Sequence, residues 1–157
     1  MTEANIKLLL KIIAVLWVIW GAVHALAGVL TIAQVAPASV AGIADAVDLS
    51  EFAPTYHAAT DALVNQHGFN LRWIGLFTVI GGLIIWRQAS VTWLFFTGLV
   101  GGVTDVGYFI FMDLGGFVHF FPGTVMTLVS GAAVILSLVA YGGGLKDRVA
   151  GPNTSGA

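Results

Sequence analysis

The sequence predicts an all-α integral membrane protein, a bundle of four helices that each cross the bilayer. Composition gives the first reason: 58% of the 157 residues are hydrophobic and only 9% are charged, whereas a soluble domain carries about 25% charged residues. Length gives the second, because about 20 apolar residues per span leave room for four spans and one sizeable loop. The predicted fold is therefore a membrane four-helix bundle with a short-helix extracytoplasmic loop between spans 1 and 2.

The same composition excludes several classes of function. The chain contains no cysteine, which excludes disulfides, thiolate nucleophiles and thiolate metal sites. Its net charge of −2 and six basic residues leave no patch that could follow a phosphate backbone, so nucleic acid is not a predicted partner. No GxSxG motif indicates a hydrolase, and no internal repeat indicates a carrier.

The first predicted span covers about residues 10–33, because the 22 residues from Ile12 to Ala33 carry no formal charge. A signal peptide cleaved near Ala36 is the alternative, but an apolar core of about 7–15 residues is typical of signal peptides. The remaining spans are predicted at about 69–86, 89–112 and 120–141. Residues 1–145 would form one membrane domain, and 146–157 a flexible cytoplasmic tail.

The outer loop, 34–68, is acidic and partly helical. It contains no lysine or arginine, and its acids are Asp45, Asp48, Glu51 and Asp61. An alanine-rich stretch predicts a short helix over residues 38–47. Pro54 suits the start of a second helix and Gly68 its end.

The basic residues predict the orientation. If there are four spans, five of them fall on one side, namely Lys7, Lys11, Arg87, Lys146 and Arg148. The positive-inside rule then places both termini in the cytoplasm of a multi-pass protein of the cell (inner) membrane, with the acidic loop outside. The lipid bilayer is a predicted partner, and the sequence leaves a homo-oligomer or a larger membrane complex open.

An acid within the third span marks the candidate site, because a buried carboxylate in a membrane is costly and is by default a functional hypothesis. A rise of 1.5 Å per residue puts Asp105 and His24 in one layer, about 10–14 Å from the outer ends of their spans. Arg72 is the predicted counter-ion of Asp105. The predicted pocket in the outer half of the bundle comprises His24, Arg72, Asp105, Tyr108, Asp113 and His119, the last three residues at its entrance or rim.

The predicted function is that of a membrane binding protein or complex subunit whose pocket takes a small ligand, an ion or a cofactor. For a divalent metal, the candidate ligands are His24, Asp105 and His119, with His57 or His67 reaching in from the loop. For a b-type haem, His24 and His119 would be the axial ligands.

Two other interpretations remain open from the sequence. In the first, the chain is a structural or assembly subunit, and the buried ion pair only fixes how the helices pack. In the second, it is a membrane enzyme in which Asp105 and His24 act as acid and base on an apolar substrate. The sequence is compatible with an enzyme and with a protein that has no enzymatic activity.

Overall fold

The computed structural model describes residues 1–145, and this part of the chain is all-α. The α-helices are α1 (Glu3–Ala33), α2 (Ala36–Ile43), α3 (Ala58–Gln88), α4 (Val91–Tyr108) and α5 (Val125–Ala140). Short π-helical segments, Phe109–Asp113, Phe120–Thr124 and Tyr141–Leu145, extend α4 and both ends of α5. The four long helices with these extensions are long and apolar enough to cross a membrane, and the predicted all-α bundle is confirmed. The predicted tail, 146–157, lies outside the described residues.

Polar side chains begin most of these helices by accepting hydrogen bonds from free backbone N–H groups. Thr2 caps α1 and Ser90 caps α4, whereas α3 begins with the ring nitrogen of His57, 3.2 Å from the backbone nitrogen of Ala59. In the loop, Asp48 accepts from the hydroxyl and the backbone N–H of Ser50, and these bonds lower the pKa of Asp48. Asp48 therefore stays ionised at neutral pH.

The helix boundary predicted at Gly68 is wrong, because α3 runs without a break from Ala58 to Gln88. Gly68 does not end a helix but lies against α1, where an added Cβ would approach Thr31 and the Gly28 carbonyl within 3.0 Å. This contact between helices overrides the local preference of glycine for a helix end. The connection between α1 and α3 is consequently shorter than the predicted loop of 34–68, and contains α2 and a 3₁₀ turn at Leu49–Glu51.

Helices α1 and α3 form the most extensive contact of the bundle, and glycines make it possible. A methyl group at Gly75 would overlap the backbone of Ala25 and Gly21, and one at Gly28 would overlap the backbone of Gly68. The two backbones are therefore in direct contact, as small residues allow between membrane helices.

The four long helices form a ring in which α1 and α4 each lie beside both α3 and α5. The centre is filled by large side chains such as Trp17, Trp20, Ile13 and Leu94. At one end of the bundle, called here the terminal end, the amino group of Met1 donates to the Gly143 carbonyl at 3.0 Å. The opposite end, called the loop end, carries the connection from α1 to α3.

Candidate functional site

The carboxylate of Asp105 lies in the bundle interior, where two side chains of α1 meet it. Asp105 is 3% exposed, and the indole N–H of Trp20 donates to its Oδ2 at 2.7 Å. The Nε2 atom of His24 lies 3.8 Å from Oδ1. Trp20 and His24 are one helical turn apart, and their rings stack with centroids separated by 3.7 Å. One face of α1 thus supplies both neighbours of the buried acid.

The hydrogen bond of the second ring nitrogen of His24, Nδ1, indicates which nitrogen carries a hydrogen in neutral His24. Nδ1 lies 2.8 Å from the backbone carbonyl of Trp20, and since a carbonyl only accepts, Nδ1 carries a hydrogen. In neutral His24, Nε2 therefore presents a lone pair toward Asp105. Two facing acceptors repel each other, and a proton on Nε2 or on the carboxyl group would remove this repulsion, although the separation of 3.8 Å is too long for a direct hydrogen bond. We call these two side chains the His24–Asp105 pair.

Ser130 of α5 also lies within hydrogen-bonding reach of the Asp105 carboxylate. Its hydroxyl oxygen is 3.0 Å from the Thr127 carbonyl as well, and its single hydrogen can be donated to only one of these two acceptors. The three side chains around the acid, Trp20, His24 and Ser130, carry no permanent positive charge.

A cavity of about 250 Å³ lies at the loop end, with His24, Asp105 and Tyr108 in its wall. We call it the loop-end cavity. Every helix contributes to it. Most of the wall is apolar, with Val23, Ala27, Leu30, Ile43, Leu71 and Met126, and its other polar side chains include Thr31, Gln34, Ser39 and His67. A few polar groups in a largely apolar wall are typical of small-molecule sites.

The α1–α3 connection closes the loop-end cavity by binding the segment between α4 and α5. Asp45 lines the cavity, and its Oδ1 accepts a hydrogen bond of 2.8 Å from the backbone N–H of His119. The backbone N–H of Ala46 donates to the Phe117 carbonyl at 3.1 Å. These two hydrogen bonds form a cap over this end of the bundle.

The predicted ion pair between Arg72 and Asp105 is not formed. Arg72 is exposed on α3, and no Arg72 ion pair occurs within residues 1–145. Its backbone packs against Gly28, and its long side chain stays at the bundle surface, as arginine side chains do when they can reach a polar environment. Trp20 and His24 take the place predicted for Arg72.

Asp113 also differs from its predicted role at the pocket entrance. It is absent from the wall of the loop-end cavity. Its carboxylate accepts hydrogen bonds from the hydroxyls of Thr124 and of Thr127, the latter at 3.2 Å. Asp113 therefore joins the end of the α4 extension to the start of α5.

The structure does not assemble the predicted metal and haem ligands. His119 is exposed and lines no part of the cavity that contains His24. Among the described residues, no group of three or more histidines and acids could hold a metal ion. Of the two loop histidines, His67 contributes to the cavity wall although it is largely exposed, and His57 caps α3.

A larger apolar cavity, about 550 Å³, lies between α4 and α5. Glycines at positions 98, 102 and 131 leave space in its wall, and Asp105 lines it as well. The buried carboxylate thus lies in the wall of both cavities.

Sequence reasoning missed two residues of the site, Trp20 and Asp45. Trp20 could have been found, because it precedes His24 by one turn on the same face and a buried indole N–H requires an acceptor. Asp45 gave no such signal, since its place depends on how the loop folds onto the 114–119 segment.

Searches against protein-family models, curated proteins and solved structures find no match to this chain.

Proposed function

We propose that this protein is a membrane protein that binds a small molecule in the loop-end cavity, with the His24–Asp105 pair as its main polar contact. The observation that carries this proposal is that a buried acid and a histidine lie together in the wall of a largely apolar cavity of about 250 Å³. A few polar groups in such a wall are typical of small-molecule sites.

The surroundings of the pair support binding. A largely apolar wall that includes His24, Asp105 and Tyr108 would hold an apolar body and orient one polar group. The cap through Asp45 and Ala46 would shield that contact from water, and a hydrogen bond to a charged acceptor is stronger in such a place.

The charges suggest which side of the membrane the cavity opens to. Lys7, Lys11 and Arg87 lie at the terminal end, and no lysine or arginine occurs between residues 34 and 71. By the positive-inside rule, the loop end would face away from the cytoplasm. The bound molecule would then enter from outside the cell membrane or from the membrane itself.

Filling the cavity tests the proposal. Ala27 lines the cavity, and Ala27→Phe would place a ring in the space for a ligand. Ala22→Phe is the matched control, because Ala22 is an exposed residue of the same helix. We expect small fragments detected by ligand-observed NMR to bind the wild type and Ala22→Phe in nanodiscs, and to lose binding in Ala27→Phe.

One outcome of this experiment would contradict the proposal. If all three proteins fold, and no fragment separates Ala27→Phe from the other two, the cavity is not a binding site. The His24–Asp105 pair would then have a role in helix packing.

A further inference from the structure

We infer that the molecule bound in the loop-end cavity is an organic cation, an ammonium group on a small apolar body. This inference rests on the proposed function and assigns it a ligand class. Its basis is the charge of the groups that line the cavity. Two carboxylates, Asp45 and Asp105, lie in the wall, and no lysine or arginine does.

Because the predicted contact between Arg72 and Asp105 is not formed, Asp105 has no arginine as its counter-ion. Arg72 on Asp105 would have neutralised the acid from within the protein, but Arg72 is exposed. Trp20 donates one neutral hydrogen bond and brings no charge. A cation is the ligand group that would interact most strongly with Asp105, because a charge-assisted hydrogen bond is about twice as strong as a neutral one.

Protonation of the His24–Asp105 pair does not oppose this assignment. A proton on Nε2 or on the carboxyl group would keep the pair neutral without a ligand, and binding of an ammonium group to the carboxylate would release that proton to solvent. His24 would then be neutral, with its hydrogen on Nδ1. The other ionisable groups of the cavity wall are Asp45 from the loop, His67 from α3 and Tyr108 from α4, and none of them is a permanent cation.

An organic cation fits better than a metal ion. Within residues 1–145, no group of three histidines or acids is close enough to hold a metal. The wall is mostly aliphatic around its polar side, which suits an apolar body joined to one charged group. The hydroxyl and ring of Tyr108 would contribute an acceptor and an aromatic face near that charge.

The acidic loop would raise the local concentration of cations at the cavity. Residues 34–71 contain four acids and no lysine or arginine. Asp48 is kept ionised by its bonds to Ser50, which lower its pKa. A surface of one sign attracts ligands of the opposite sign to the site it surrounds.

Three probes of similar size and different charge test the inference: benzylammonium, benzyl alcohol and benzoate. Binding would be measured by titration calorimetry in nanodiscs of zwitterionic phosphatidylcholine, so that lipid charge does not attract the cation. We expect the wild type to bind benzylammonium about ten- to a hundredfold more tightly than the other two, the range for a hydrogen bond to a charged group.

Two conservative variants test how much each of the two carboxylates contributes to cation binding. Asp105→Asn retains an oxygen for the Trp20 N–H but removes the charge, and we expect it to bind benzylammonium no more tightly than benzyl alcohol. Asp45→Asn should weaken benzylammonium binding by a smaller factor than Asp105→Asn does. If Asp105→Asn does not fold, the ranking of the three probes on the wild type and on Asp45→Asn decides the question.

The outcomes separate this inference from the proposed function. Equal binding of benzyl alcohol and benzylammonium, both lost in Ala27→Phe, would overturn the cation assignment and leave the binding site in place. Tighter binding of benzoate would do the same. If none of the probes and none of the fragments depends on Ala27, the proposed function itself fails.

Discussion

At the scale of single residues, the sequence locates Asp105 and His24 and places Trp20 one turn before His24, but it does not show which side chain contacts the acid. Counting the rise per residue puts Asp105 and His24 in one layer, and the structure places Nε2 and Oδ1 3.8 Å apart. Arg72 is the partner predicted from its charge, its position near the outer end of span two and the length of its side chain. Trp20 reaches Asp105 instead, because the rotation of α1 about its axis, which the sequence does not specify, turns both aromatic rings toward α4.

The protonation of His24 gives a test at this scale. Because Nδ1 donates to the Trp20 carbonyl, we expect His24 to be either the Nδ1–H tautomer or doubly protonated, and never the Nε2–H tautomer. The measurement is ¹⁵N NMR of a variant in which His57, His67 and His119 are replaced by glutamine, so that only His24 is observed.

A titration of the same sample would serve as its control. The Nδ1 resonance should stay in the protonated range over the whole pH series, whereas that of Nε2 can change. An Nε2–H signal with an unprotonated Nδ1 would contradict the prediction, because Nδ1 could then not donate to the Trp20 carbonyl.

At the scale of helices, the length of the apolar segments predicts the four spans. Contacts between helices explain why the observed helix boundaries differ from the predicted ones. Gly68 has the local character of a helix end, and only its contact with Thr31 and Gly28 explains why α3 continues through it. The sequence shows glycines on both α1 and α3. It does not show which of them face each other.

The α1–α3 contact predicts unequal effects of two glycine substitutions. Gly75→Ala would overlap the backbone of Ala25 and Gly21, where no flexible side chain can move away. We expect it to lower the free energy of unfolding by about 1–3 kcal/mol, the usual cost of overpacking. Denaturation in mixed detergent micelles would measure this change.

Gly131→Ala is the matched control within α5, because nothing lies within 4 Å of an added Cβ there. Its helix propensity should improve, and we expect stability to rise by up to about 1 kcal/mol. Similar losses of stability in both variants would mean that glycine acts through helix flexibility and not through the α1–α3 contact.

At the scale of the whole molecule, the sequence predicted the segregation of charge, although the loop is shorter than expected. The acids of residues 34–71 lie without basic neighbours, whereas Lys7 and Lys11 lie toward the terminal end. How this loop closes the site depends on its contacts with residues 117 and 119, and these contacts join parts of the chain that are distant in sequence.

The uneven charge predicts salt-dependent binding. We expect Glu51→Gln, at the loop end, to lower the association rate of benzylammonium about twofold at low ionic strength, with no change in its dissociation rate. The difference should disappear at about 1 M salt, where the screening length is about 3 Å. Stopped-flow tryptophan fluorescence would measure both rates.

Glu3→Gln makes the same chemical change at the terminal end and should leave the association rate unaltered. An equal effect of Glu3→Gln and Glu51→Gln would indicate that only the total charge matters. If neither variant changes the association rate, the acidic loop does not attract the cation to the cavity.

The glycine contacts between α1 and α3 should make one side of the bundle more rigid than the other. The backbones of α1 and α3 are in direct contact, so no side chains between them can rearrange, and this pair of helices should resist deformation. On the opposite side, α4 and α5 have the weakest contact of neighbouring long helices and enclose open space. Fluctuations of the bundle should therefore be largest in α4 and α5. Asp105 would move with α4, whereas Trp20 and His24 would be held in place by the contact of α1 with α3.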